Sequence, residues 1–409
     1  MLKEISTKIQ NMSYSVKTLL YTNLFKSFIV GIFNVFLSIM IFDITGDISF
    51  TITFLFFKYA GSLSMMYLYN YYVLKYNKDI KSSYTYFVFL LLSSFTILLF
   101  SNYNEWLILL FSYVYGMGIG MYYFTQHMYS LKKTEIKDRD FFSSMMVLSG
   151  EILSIIIPLT VIISIYVSDE LLDLGKYNIL ILLMVLVSFI MLFFVKNLDS
   201  YYPKKQNLKK IIKKIKDNEN RNDLFWFTLY SGSISMVQVI IFTYVSLVSM
   251  KEVINIGIVE LITGLFSILL IMKLSTDLYS KDRLKYMKYS VLITGVAYII
   301  LLLSGLSVWG YVLYSILLLI SGPMYATALQ VMDLKVIELL KSENEYGLGI
   351  LIRETLLTIS RILSGGLLYI VYIYTGDSIY FAYVGVIIFI LIQIGTYITS
   401  KKILESENC

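Results

Sequence analysis

Seven ionisable side chains stand inside runs of apolar residues: Lys26, Lys58, Glu151, Glu260, Arg353, Glu354 and Arg361. A charge in such a run is costly in hydrocarbon, so it must face protein or a water-filled cavity. There it has three possible uses. Glu151 or Glu354 can take up and release a proton, because a poorly solvated carboxylate favours its neutral form and a nearby Lys or Arg favours the charged one. A Lys or Arg, Arg361 above all, can hold an anionic group of a solute. A fixed ion pair, such as Glu151 with Lys26 or with Arg353, is the third. The candidate substrate or coupling residues are therefore Lys26, Lys58, Glu151, Arg353, Glu354 and Arg361. Glu260, about 6 Å from its run's outer end, reads as a rim residue, and Lys273 is close enough to the other end to snorkel. On an ideal helix Glu354 and Arg361 share a face about 10 Å apart, which predicts no direct pair, and Arg353 points about 100° away from Glu354.

Other chemistry is missing from the list. With one cysteine, Cys409, and one histidine, His127, the chain can form neither an internal disulfide nor a Cys- or His-rich metal site. No Ser-His, paired Asp or His-rich constellation lies within an apolar run, and no glycine-rich phosphate loop carries a lysine. The expectation is a protein that is not an enzyme, with no catalytic residue, metal or cofactor. His127, close to the end of its run, reads as a solvated or capping histidine.

The elements that position these charges follow from the apolar runs themselves. Of 409 residues 57% are hydrophobic and 15% charged. The apolar residues fall in blocks of the length a helix needs to cross a bilayer. Twelve spans are predicted, near 18–41, 50–74, 84–101, 106–130, 141–166, 177–195, 223–249, 256–277, 289–306, 309–332, 346–374 and 379–399. The first is too long for the apolar core of a cleaved leader and is read as a span. The fold class is an all-α integral membrane protein of twelve transmembrane helices in two six-helix bundles.

Basic residues support the count, because Lys and Arg gather in cytoplasmic loops. With the N-terminus inside, 27 of the 34 basic residues lie in inside segments, five lie within spans, and Lys176 and Lys251 alone lie outside. A missing or spurious central span would reverse every later loop. The net charge of +6 is thus a topology signal and not a sign of nucleic-acid binding. Both termini are expected in the cytoplasm, with the protein in the cell membrane. The longest loop, 196–222, divides the chain into bundles 1–195 and 223–409. Its Leu208, Ile211, Ile212 and Ile215 alternate with lysines, which fits either a basic helix lying on the inner leaflet or a solvated linker.

The interior charges avoid spans three, six, nine and twelve, as expected if those four face lipid. Pro158 and Pro323 are expected to kink spans five and ten. Gly116, Gly118 and Gly120 offer a smooth face for close helix packing, and Asp138, Arg139 and Asp140 would cap span five. The 36 tyrosines fit interfacial belts or an aromatic cavity.

Several segments resemble the major facilitator superfamily, particularly its bacterial drug-exporter-like members. The stretch Phe36-Leu37-Ser38-Ile39-Met40-Ile41-Phe42-Asp43-Ile44-Thr45-Gly46-Asp47 is similar to their first helix and external turn. Gly116-Met117-Gly118-Ile119-Gly120-Met121-Tyr122-Tyr123 resembles their fourth helix, followed by a similar charged turn, Lys137-Asp138-Arg139-Asp140-Phe141. Arg353-Glu354-Thr355 through Arg361 resembles the eleventh helix of some members. The loop Lys75-Tyr76-Asn77-Lys78-Asp79-Ile80-Lys81 departs from the superfamily's Gly-x-x-x-Asp-Arg-x-Gly-Arg pattern, so that motif's gating contacts do not carry over. The resemblance implies a secondary active transporter, monomeric, moving a small-molecule substrate by alternating access, with proton-coupled export as one form. A lipid-linked oligosaccharide flippase, or another polytopic membrane protein, is the alternative.

Overall fold

The computed structural model describes residues 14–76, 78–133, 136–195, 200, 202, 213, 221–277, 283–339, 347–376 and 378–405. Helices joined by short turns make up these segments. Helix α1 (Tyr14–Gly31) passes through a π-helical stretch (Ile32–Leu37) into α2 (Ser38–Thr45). There follow α3 (Ile48–Tyr76), α4 (Ser82–Leu99), α5 (Glu105–Lys133) and α6 (Ile136–Tyr166), which ends in a second π turn, Val167–Leu171, and then α7 (Asn178–Val195). After the long loop come α8 (Arg221–Met250), α9 (Val253–Asp277), α10 (Arg283–Leu303), α11 (Val308–Leu339), α12 (Gly347–Thr375) and α13 (Ile379–Glu405). Of the loop 196–222, only Ser200, Tyr202 and Lys213 are described outside α8, so the amphipathic pattern around Ile211 lies outside the described residues.

Among the described residues, nine helices are long and apolar enough to cross a membrane, and Asn178–Phe193 and Val253–Phe266 are shorter apolar helices. Their outward faces are apolar: Phe193, Phe266, Leu303 and Leu363 are exposed. A soluble chain would not leave so much apolar side chain in water, so this surface faces lipid and the chain is a multi-pass membrane protein. All three tryptophans, Trp106, Trp226 and Trp309, are exposed near helix ends, the place of an interfacial aromatic belt.

The helices start and stop where local chemistry dictates. Gly46 takes the left-handed conformation, φ 65°, and returns its N–H to the Phe42 carbonyl at 2.8 Å, which ends α2. The Asp47 carboxylate then accepts the Ser49 N–H at 2.8 Å and the Ser49 hydroxyl at 2.6 Å, satisfying donors at the start of α3. At the other end of α3, Asp79 accepts the Lys81 N–H at 2.9 Å ahead of α4. Pro158 and Pro323 lie inside α6 and α11.

Packing sorts the helices. α3 and α4 pack on α5, α10 on α11, and α8 on α12 and α13. The main contacts between helices before and after the long loop are α6 with α9 and α3 with α12. The α3–α5 contact is the tightest. A Cβ at Gly116 would stand 2.0 Å from the Lys58 carbonyl, one at Gly120 2.3 Å from the Ser62 carbonyl, and one at Gly61 2.1 Å from the Tyr113 carbonyl. Two glycines four residues apart on α5, answered by one on α3, let the backbones touch. Gly118 points elsewhere, to Leu90 of α4. This contact fixes where Lys58 and Tyr59 leave α3.

Candidate functional site

Between the two sets of helices lies a cavity of about 550 Å³. Its lining comes from α1, α3, α5, α6, α8, α11 and α12; α4, α7, α10 and α13 contribute none of it among the described residues. Those four coincide with the predicted spans three, six, nine and twelve, the ones whose interiors carry no charge. His127, Asp333 and Arg353 line it at about 9 Å from the ends of their helices, by the helical rise. Those ends adjoin the lysine-rich loops, so the cavity lies nearer that side.

Five of the six candidate residues meet here: Lys26, Lys58, Arg353, Glu354 and Arg361 line the cavity. Glu151 belongs to α6, beside the lining residue Gly150, but its side chain lies outside the described residues. So do the side chains of Lys273, Asp138, Arg139 and Asp140.

On one wall the cations rest on aromatic rings. Asn23, Lys26, Ser27 and Val30 form one face of α1 at helical spacing. Lys26 Nζ lies 5.0 Å from the Tyr122 ring centre and 4.9 Å from that of Tyr123. Lys58 Nζ lies 4.4 Å from the Phe33 ring and 5.3 Å from the Tyr59 ring. Phe33 in turn stacks on Tyr115 at 3.8 Å. A ring face attracts a cation through its quadrupole, worth about 0.5–2 kcal/mol.

On the opposite wall the charges form a network. Arg353 donates to Asp333 at 2.7 Å and to Glu354 at 2.5 Å. The other carboxylate oxygen of Glu354 is 3.9 Å from Arg361 Nη1. Arg361 also donates from Nε to the Ser235 hydroxyl at 3.1 Å, and its guanidinium lies 4.6 Å from the Tyr59 ring centre. Arg361 thus touches α3 and α8 as well as its own helix.

Two expectations drawn from ideal helix geometry are corrected. Adjacent Arg353 and Glu354 do pair, and Glu354 and Arg361 do approach one another. Long side chains bend along and around the helix, and a buried charge gains more from a partner than from following its Cβ direction. His127 is neither capping nor at a solvated end: it lines the cavity and stacks on Tyr123 at 6.2 Å. Glu260, expected at the rim, accepts a hydrogen bond from Tyr311 between helices, at 3.3 Å.

Asp333 was not foreseen, because the apolar run was read as ending at 332. The helix continues to Leu339, and the signal was present in Leu334, Val336 and Ile337, which extend the apolar pattern past the aspartate. Tyr59, Tyr123, Asn23, Gln126 and Ser235 complete the polar lining; nothing sets these residues apart in a tyrosine-rich sequence. Among the described residues no group of His, Cys, Asp and Glu could hold a metal ion. Counting described side chains, the cavity has four basic groups, Lys26, Lys58, Arg353 and Arg361, against two carboxylates, Asp333 and Glu354.

No family model matches the chain, and no curated protein matches it. Solved structures do. The chain superposes on the crystal structure of the human organic anion transporter MFSD10 (TETRAN) with a TM-score of 0.64 at 10% sequence identity, over 94% of this chain and 99% of that one. At that identity the likeness is one of fold alone: the chain shares the fold of that transporter.

Proposed function

We propose that the chain is a secondary transporter that carries a small organic anion across the cell membrane by alternating access. One observation carries the reading: a cavity of about 550 Å³, between two sets of helices, in which, among the described side chains, four basic groups face two carboxylates. That volume fits a drug-sized solute. It is too small for a lipid-linked oligosaccharide, which disfavours the flippase alternative. The organic anion handled by the structural neighbour is in keeping with the charge balance. Twelve membrane crossings, with both termini on the lysine-rich cytoplasmic side, complete the picture, the two bundles 1–195 and 223–409 rocking about the cavity. A monomer suffices, since one chain encloses the site.

Within it, Lys26, Lys58 and Arg361 bind the anionic head, while Tyr59 and Tyr123 hold its apolar body. Arg353 and Glu354 act as a fixed pair that positions Arg361, with Asp333 as the second partner of Arg353. Of the two carboxylates considered for proton coupling, Glu354 is engaged by two guanidinium groups and serves better as that fixed partner than as a proton carrier.

The test is flux in proteoliposomes. Protein-dependent movement of carboxyfluorescein is expected, and none of a cationic rhodamine. Arg361→Ala is expected to slow it roughly tenfold, the effect of losing one charge-assisted hydrogen bond of about 1.5–3 kcal/mol. Carboxyfluorescein movement no faster than in protein-free vesicles, or preference for the cationic dye, would refute the reading.

A further inference from the structure

A second ionisable site lies outside the cavity, where α8, α9 and α11 meet. Glu260 Oε1 accepts a hydrogen bond from the Tyr311 hydroxyl at 3.3 Å. That hydroxyl is 3.1 Å from the Ser246 hydroxyl. One turn along α11 from Tyr311 lies Ser315, 6% exposed, whose hydroxyl adjoins the same phenol. Beyond Tyr311 the Tyr314 hydroxyl donates to Tyr298 of α10 at 3.1 Å. The titratable groups that face Glu260 are thus the phenols of Tyr311 and Tyr314 from α11, with Tyr298 behind them. α8 keeps its charges, Arg221 and Asp223, at its far end. In its membrane part α6 brings only Glu151, whose side chain lies outside the described residues. Among the described residues no cation contacts Glu260.

Glu260 also occupies a mechanically sensitive position. Gly257 and Gly264 flank it at spacings of three and four, on the α9 face that meets α6. A Cβ at Gly257 would stand 2.9 Å from Ile162 Cγ1, and one at Gly264 2.8 Å from the Ser154 carbonyl. The two helices thus meet closely here, at the seam between the first and second sets of helices. A lone negative charge in such a seam is strongly unfavourable without a compensating positive one.

We propose that Glu260, with the hydroxyls of Tyr311, Ser246 and Ser315, is the site of a coupling cation, a proton or a sodium ion, separate from the solute cavity. A carboxylate with three hydroxyls is an all-oxygen donor set, which suits either hard cation. Occupancy supplies the missing positive charge and so favours the closed seam; release favours its parting. This rests on the transporter reading and adds to it the driving ion and its binding place.

The experiment separates the two ideas. Protein in nanodiscs is titrated with acid at fixed salt, and with NaCl at fixed pH, while the carboxyl bands are followed by infrared difference spectroscopy. One titration is expected to change a carboxyl band in the wild type; which one identifies the ion. Among the bands that move, one is expected to be missing in Glu260→Gln, to persist in Asp333→Asn, and to require a several-fold different ion concentration in Tyr311→Phe, which keeps the carboxylate. A wild type and Glu260→Gln with the same set of changing bands overturn the proposal. Because no solute is needed, that failure leaves the transporter reading standing. In proteoliposomes a gradient of the identified ion should stimulate carboxyfluorescein flux several-fold in the wild type and not in Glu260→Gln. Titration without any flux would instead sink the transporter reading and keep the cation site.

Discussion

At the scale of single residues the cavity works by division of labour. Arg353 is buried and holds two carboxylates, so it is saturated. Arg361 is held by a 3.1 Å bond to Ser235, a ring face and a long 3.9 Å approach to Glu354. An incoming anion can replace that last interaction at little loss. Asp333→Asn should therefore affect Arg361 only indirectly: with one partner weakened, Arg353 draws Glu354 closer and frees Arg361. The expected outcome is carboxyfluorescein binding a few-fold tighter, read by equilibrium dialysis; binding more than tenfold weaker would place Asp333 in direct contact with solute. The charged members of this site were legible in the sequence, since a lone charge in an apolar run has few physical reasons to be there. Their partners were not. Pairing depends on side-chain reach and on which helices meet, and Asp333, Tyr59 and Ser235 look ordinary until α11, α3 and α8 are brought to α12.

At the scale of elements the glycines of α3 and α5 set the geometry. Gly61→Leu and Gly116→Leu each force atoms into a backbone carbonyl that cannot move alone. Each is expected to destabilise the protein by about 1–3 kcal/mol or more, seen as a lower melting temperature in detergent, while Gly150→Ala, which meets nothing within 4 Å, leaves it unchanged. A smooth glycine face was readable from spacing, but its direction was not: of Gly116, Gly118 and Gly120, two face α3 and one faces α4. A second local device is the latch at the lysine-poor end. Asp43 accepts from Lys176 at 2.7 Å and from the Tyr177 hydroxyl at 2.6 Å, tying the end of α2 to the start of α7. Burial, and then Asp43 itself, hold the Tyr177 phenol well above its usual value. The proton is therefore kept in the folded state at a pH where the unfolded chain loses it. The stabilisation it brings is complete below the unfolded value, about 10, and fades as pH rises beyond that. Tyr177→Phe should flatten the alkaline end of a melting-temperature profile without moving its neutral part.

At the scale of the whole molecule, lysine placement carries the proposed topology. The positive-inside pattern was legible because each loop tests every span before it. The two-sided packing was not, since nothing in periodicity says that α3 meets α12 or that α6 meets α9. Those seams make a prediction of their own. Tyr67 of α3 and Thr355 of α12 share a 2.8 Å hydrogen bond. In a Cys409→Ser background, Tyr67→Cys with Thr355→Cys joined by a short bifunctional thiol reagent should stop carboxyfluorescein flux by at least tenfold, and either single cysteine should not. Unimpeded flux after complete cross-linking would mean that this seam does not open during the cycle. The topology is tested by labelling. A cysteine in place of Asn104 should react with a membrane-impermeant maleimide on intact cells, and one in place of Lys78 only after lysis.

The π-helical stretch Ile32–Leu37 carries a last implication. A π turn holds one surplus residue, so the helical phase before it and after it differs by about 100° from that of an unbroken rod. Upstream, that phase aims Lys26 at the cavity; downstream, it turns Ile39, Met40 and Ile41 into the core. Removing a single amino acid from 32–37 would regularise the rod, yet twist one of these two faces out of place. Such a shortened chain should remain membrane-inserted while losing either its solute-facing lysine or its anchorage to α8.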